Sequence, residues 1–114
     1  MLNKFISGAT AIALACLGGP AEASGTMLSS WYGPGFHGRT TANGETYDMH
    51  GYTAAHKYLP FGTKLRVCYS RCVEIRINDR GPYIGARELD LSYGAARAIG
   101  LDSRGVDYVK VTYL

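Results

Sequence analysis

The sequence predicts a small, mainly β domain that closes as a barrel and carries one short helix. Five or six short runs alternate apolar and polar residues, each bounded by glycine, proline or other turn formers. A single stretch, Tyr93 to Ile99, has helix signals at both ends. The chain has 114 residues, room for one domain once an N-terminal leader is set aside. Short strands with one helix lack a second layer to pack on, so they close on themselves.

The leader comes first. Lys4 supplies a positive start, and Phe5 to Leu17 (FISGATAIALACL) is an apolar run of signal-peptide length, too short to span a bilayer. Ala21-Glu22-Ala23 offers a cleavage site, so residues 1–23 read as a secretory signal and 24–114 as the mature domain. Cys16, behind Ala13-Leu14-Ala15, loosely resembles a lipoprotein box, but Ala13 stands where leucine is usual. Lipid anchoring through Cys16 is the lesser alternative to its leaving with the signal. Cleavage removes Lys4 and Glu22 together, so the formal charge stays at +3. No element clusters lysine and arginine as a nucleic-acid surface would, whereas a modest surplus suits a polyanionic wall polymer.

Met27 to Tyr32 reads as the first strand, ended by Gly33-Pro34-Gly35. Arg39 to Asp48 is a polar loop rich in turn formers, the kind of segment that carries ligand contacts. Its Glu45, between Gly44 and Thr46, is either such a contact or a solvated loop charge. Gly51 to His56 is a short extended segment of small residues; His56 at its end is either structural or functional. Tyr58 to Gly62 forms a turn with apolar anchors, and Thr63 to Cys68 alternates Leu65 and Val67 against Lys64 and Arg66.

Cys68 and Cys72 frame a tight loop between two alternating runs, which in an exported protein predicts a disulfide across a hairpin. With no histidine near in sequence and no other cysteine in the mature chain, a metal site is not expected. The second run, Cys72 to Asn78, leads into Asp79-Arg80-Gly81-Pro82, where the strand breaks. Asp79 therefore sits at a rigid strand end, either forming its own turn or reaching a cleft. Arg87 to Leu91 is a short strand, and Ser92 is an N-cap for the helix that Gly100 closes. Val106 to Leu114 is the last strand, with Val109 and Val111 on one face. Asp48 and Asp90 read as structural. There is no useful internal repeat and no low-complexity segment.

Three segments together carry a resemblance. SSWYGPGFHGRTTANGETYD (Ser29 to Asp48), TAAHKYLPFGTKLRV (Thr53 to Val67) and IRINDRGPYIGARELDLSYGAARAIG (Ile75 to Gly100) resemble the double-psi β-barrel domain of the rare lipoprotein A (RlpA-like) family of septal lytic transglycosylases. The resemblance covers essentially the whole mature chain, with WYGPGFHG, TANGE, TAAH, LPFGT and INDRGP in order. It implies a six-stranded double-psi barrel, a groove for peptidoglycan glycan strands, and cleavage between N-acetylmuramic acid and N-acetylglucosamine without a cofactor or metal. It also implies export to the periplasm or cell envelope. Family members carry a Glu, a His and an Asp at the positions of Glu45, His56 and Asp79. Many also carry a C-terminal peptidoglycan-binding module, so a lone barrel is expected to bind weakly or to be directed by another cell-wall or division protein. A monomer is expected.

The chemistry suits those residues. In a lytic transglycosylase the muramic acid's own 6-hydroxyl attacks the anomeric carbon and leaves a 1,6-anhydro ring. One carboxyl group can protonate the leaving oxygen and then take the hydroxyl proton, so a hydrolase's spaced pair is not obligatory. The expected assignment is Asp79 as acid and base and Glu45 as stabiliser of oxocarbenium-like charge or tuner of Asp79. His56 is expected to orient one carboxylate by hydrogen bond. Trp31, Tyr32, Phe36 and Tyr83 offer faces for sugar rings, or else pack in the core, and Asn78 and Arg80 offer polar contacts. Expansin- and barwin-like proteins resemble the same barrel, and a non-catalytic glycan-binding module is the alternative function. The carboxylates and histidine favour the enzyme, since binding alone needs aromatics and hydroxyl donors.

Overall fold

The alternating runs do become six strands. In the computed structural model, which describes residues 24–114, they are β1 (Ser24–Tyr32), β2 (Thr53–His56), β3 (Lys64–Cys68), β4 (Cys72–Asp79), β5 (Leu89–Ser92) and β6 (Asp107–Tyr113). The expected signal peptide and Cys16 lie outside the described residues. The strands close in the order β1-β5-β2-β4-β3-β6, with β6 returning antiparallel to β1. Two pairs are parallel, β1 with β5 and β2 with β4, which the crossed connections of a double-psi barrel require.

Period-2 alternation fills the interior. Leu65, Val67, Ile75, Ile77, Leu89, Leu91, Val109 and Val111 are buried there, and the intervening residues face outward. The first strand begins at Ser24 instead of Met27 because β6 pairs with it from Ser24 to Ser29, Thr112 opposite Ser24. The fifth begins at Leu89, not Arg87, and the second at Thr53, not Gly51.

Helix α1 (Tyr93–Ile99) lies against the barrel through Ala95, Ala96 and Ile99. Ser92 Oγ accepts from the Ala95 amide at 3.2 Å and donates to Gly51 O at 2.6 Å, so the N-cap also ties the helix to the loop before β2. That loop passes so close that a Cβ on Gly94 would stand 2.6 Å from His50 O, which excludes any larger residue. Gly100 ends the helix at φ 85°, and Leu101 folds back, its amide reaching Ala96 O at 2.8 Å.

The β3–β4 hairpin caps the other side of the helix. Cys68 and Cys72 are register partners joined by the expected disulfide, with Cα atoms 4.0 Å apart. At the tip, Ser70 N donates to Ile99 O at 3.0 Å and Arg71 Nε to Ala98 O at 2.9 Å. These bonds satisfy carbonyls that a helix C-terminus leaves open.

Candidate active site

The site lies on the outer face of the barrel, and strand register builds it. Leu89 and Leu91 point into the core, so Asp90 between them points out. Ala54 is in the core, so Ala55 points out. Asp79 shares parity with Ile75 and Ile77 and would face inward, but the β2–β4 register shifts between Ala54 and Ala55. The irregularity re-aims Asp79 beside Ala55, as bulges do at strand ends. Ser30 pairs with Asp90, Asp90 with Ala55, and Ala55 with Asp79, so one row crosses four strands.

That row floors a cleft of about 440 Å³. Its walls are Trp31, Tyr32 and Phe36 from β1 and the turn after it, and Arg80 to Ile84 with Arg87 from the β4–β5 connection. Gly33-Pro34-Gly35 does more than end the strand: Pro34–Phe36 winds a 3-10 turn that sets Phe36 edge-on to Tyr32, 5.6 Å between ring centres.

Asp79 is held by three donors. Its Oδ1 accepts from Ala42 N at 2.8 Å and Arg80 N at 2.9 Å, and its Oδ2 accepts from the Tyr32 hydroxyl at 3.1 Å. Tyr32 stacks on Tyr47 at 4.3 Å, and the Tyr47 hydroxyl returns to Tyr32 O at 2.5 Å. Burial, and next the charge of Asp79, push the Tyr32 phenol well above its ordinary value, so it stays a donor.

Glu45 stands outside the cleft lining. Arg76 grips it with two bonds, 2.6 and 2.8 Å, and Asn43 and Asn78 add donors at 2.9 and 3.1 Å. The Arg76 bonds, with those of Asn43 and Asn78, lower its pKa to about 2. Arg76 drew no attention in the sequence. It and Asn78 alternate along β4, but only the folded loop brings Glu45 to them.

His56 corrects an expectation. The imidazole was expected to orient a carboxylate; instead its Nδ1 accepts the amides of Tyr58 and Leu59, at 3.3 and 3.2 Å. The ring is buried at the end of β2, and burial is the main cause that lowers its pKa, so it is a neutral acceptor. Its influence passes through the backbone. Arg80 Nη1 donates to His56 O at 3.3 Å and Leu59 O at 2.9 Å, and the guanidinium stacks 3.9 Å above Phe61.

Asn78 is a second correction, being buried against Glu45 and absent from the cleft. Trp31, Tyr32, Phe36, Arg80 and Tyr83 do line it. Trp31 is fixed by Nε1 donating to Asp102 O at 3.2 Å and by packing 5.2 Å from Tyr93, whereas Tyr83 is 73% exposed. Asp90 was read as structural, and it lines the cleft. Its carboxyl accepts from Ser30 Oγ at 3.0 Å. Burial raises its pKa to about 6, against the pull of the Ser30 bond and Arg87 and with a further push from the Asp79 charge. Among the described residues no group of three or more His, Cys, Asp or Glu is arranged to hold a metal ion.

The comparisons with known proteins agree with this architecture. A Synechocystis sp. protein named "Probable endolytic peptidoglycan transglycosylase RlpA" is 59% identical over 85 residues, 72% of this chain and 26% of that protein. The "Endolytic peptidoglycan transglycosylase RlpA" of Campylobacter jejuni is 49% identical over 87 residues, 74% of this chain and 32% of its own length. This chain thus spans only about a quarter to a third of the length of these two curated relatives. Among solved structures, Streptomyces papain inhibitor superposes with a TM-score of 0.66 at 20% identity, covering 83% of this chain and 97% of that one. A Clavibacter michiganensis expansin gives 0.65 at 20% identity, over 81% of this chain and 50% of its own. Both share the double-psi barrel fold. The family model described as lytic transglycolase matches residues 24–113, and the chain belongs to that family.

Proposed function

We propose that this barrel is an endolytic peptidoglycan lytic transglycosylase, cleaving the β-1,4 bond between N-acetylmuramic acid and N-acetylglucosamine and leaving 1,6-anhydro ends. The observation that carries the reading is Asp79, gripped by three donors on the floor of a cleft walled by aromatic rings. Aromatic faces suit the apolar faces of sugar rings. The names of the relatives support peptidoglycan as the substrate, and acting on such a substrate requires export to the cell envelope.

In the reaction the bond from the anomeric carbon to the leaving oxygen breaks as the 6-hydroxyl oxygen bonds to that carbon. The leaving oxygen gains a proton and the hydroxyl loses one. Asp79, which meets its three protein partners only as an acceptor, receives the hydroxyl proton; a single carboxyl can make both transfers in turn. Glu45 holds the loop that carries Ala42, and His56 with Arg80 holds the turn behind Asp79, so both are positioning residues.

A non-catalytic glycan-binding module is the second reading, favoured by the absence of Glu45 and His56 from the cleft lining. Digestion of purified sacculi, followed by mass spectrometry, decides between them. The wild-type chain should release 1,6-anhydro products, and Asp79→Asn should lower the rate about 100-fold or more. Sacculus binding and melting temperature should change little. A folded wild-type chain that binds sacculi and releases nothing would establish the binding module, and an active Asp79→Asn would remove Asp79 from the chemistry.

A further inference from the structure

The one-carboxyl scheme leaves an acid idle on the cleft floor. Ala55 pairs with Asp90 on one side and Asp79 on the other, so the two aspartates stand two strand spacings apart, about 10 Å between backbones. Both side chains line the same cleft, and between their strands stands Ala55, whose side chain is a single methyl. The floor is kept low by small residues, Ser30 and Ala55, on either side of Asp90. A glycosidic bond laid across Ala55 meets one carboxyl from each direction.

We propose that Asp90 is the proton donor of this site, giving its carboxyl proton to the leaving glycosidic oxygen while Asp79 takes the proton of the attacking 6-hydroxyl. The inference rests on the transglycosylase reading and deepens it. Each turnover moves one proton from Asp90 to the leaving oxygen and one from the hydroxyl to Asp79. Exchange with solvent then restores both carboxyls, and no other reactant is consumed.

The other acidic groups are engaged elsewhere. Glu45 is bound by Arg76 outside the cleft, the His56 Nδ1 is an acceptor, and the Tyr32 hydroxyl is already donated to Asp79. The groups that face Asp90 explain why it can hold a proton. From β1 come the Ser30 hydroxyl and the Tyr32 phenol, from the 39–48 loop the Tyr47 phenol, from β4 the Asp79 charge, and ahead of β5 the Arg87 cation. From β2 only the methyl of Ala55 faces it. Burial and Asp79 outweigh Ser30 and Arg87, and the pKa rises to about 6, where a general acid serves near neutral pH.

The test uses the full chain, two substrates and three variants. On sacculi, Asp90→Asn should slow release of 1,6-anhydro products about 100-fold or more. On an aryl muramoyl β-glycoside whose nitrophenolate departs without a proton, the loss should shrink to less than about tenfold, whereas Asp79→Asn should lose activity on both. Wild-type activity should decline as pH rises through about 6, because the donor must be protonated. Ser30→Ala removes the bond that favours the charged form and should move that decline to higher pH. A folded Asp90→Asn that digests sacculi at the wild-type rate, or loses both substrates equally, overturns the proposal. If Asp90→Asn does not fold, an unmoved decline in Ser30→Ala overturns it instead. A wild-type chain that forms no anhydro ends removes the transglycosylase reading and Asp90's role with it; wild-type activity with an intact Asp90→Asn removes only the latter.

Discussion

An acid held in the wrong state for folding should announce itself in stability. The carboxyl of Asp90 rises from its ordinary value of 3.8 to about 6, chiefly through burial, so the folded state prefers it protonated. Well below about pH 4 the group is protonated folded and unfolded alike, and no penalty exists. As pH rises the unfolded chain ionises first, and the folded state loses stability until pH passes its own pKa of about 6. The rise is about two units, and at about 1.4 kcal/mol per unit the full penalty approaches 3 kcal/mol. The carboxyl borders an open cleft, so about 1–2 kcal/mol is the expected net. Asp90→Asn keeps the shape, and the Ser30 hydroxyl can turn from donor to acceptor. The variant should therefore melt roughly 5–15 °C higher than wild type at neutral pH, for a domain of this size. Well below about pH 4 the two curves should nearly coincide. Thermal melts followed by circular dichroism across that range supply the measurement. A variant less stable at neutral pH, or equally stabilised at all pH values, would refute the reasoning. Stability gained where activity is lost is the usual signature of a functional group.

Two further outcomes follow from the surrounding network. Glu45→Gln and Arg76→Gln should lower activity on sacculi by similar factors, about tenfold or more, with small changes in melting temperature because the pair is exposed. If Glu45 instead touched the reacting sugar, the Arg76 variant would stay near wild type. Cys72→Ser should cost about 2 kcal/mol in a urea melt yet leave activity intact, since the hairpin tip sits on α1, away from the cleft. Intact mass of the native protein should rise by two hydrogens on reduction, and two freely alkylated thiols before reduction would contradict the bond.

What the sequence disclosed was what depends on neighbours in the chain. The α1 caps, Ser92 and Gly100, are local, and so is the Cys68–Cys72 hairpin. Alternation marked Val109 and Val111 as inward because their strand has one solvated face. Register was not legible, and the site is made of register. Asp90 falls between Leu89 and Leu91, which shows that it faces outward but not that Ser30 and Ala55 flank it. Strand parity alone would have turned Asp79 inward; the shift at Ala54 and Ala55 that turns it out belongs to two strands. His56 was misjudged for the opposite reason. Its partners, the amides of Tyr58 and Leu59, are two and three residues ahead, a local turn obscured by the chemistry a histidine can offer.

The place of Glu45 follows from the same geometry. It does not line the cleft, yet the loop it fastens carries the Ala42 amide that donates to Asp79. Thr41 N donates to Glu45 O at 2.7 Å and Asn43 Nδ2 to its carboxylate, so the loop folds tightly around it. Arg76 and Asn78 then fasten that carboxylate to the outer face of β4, and Asn43 N reaches Asn78 O at 3.2 Å. Ala42, carried between Thr41 and Asn43, has its amide 2.8 Å from Asp79 Oδ1. Without the Glu45–Arg76 clamp the loop would be tied to β4 only by the Asn78–Glu45 bond, the Asn43 amide and the Ala42–Asp79 bond itself. Two acidic groups on adjacent segments thus differ by their partners: Glu45 is neutralised by a guanidinium and fastens the loop, and Asp79 faces the cleft, where the proposed reaction needs it.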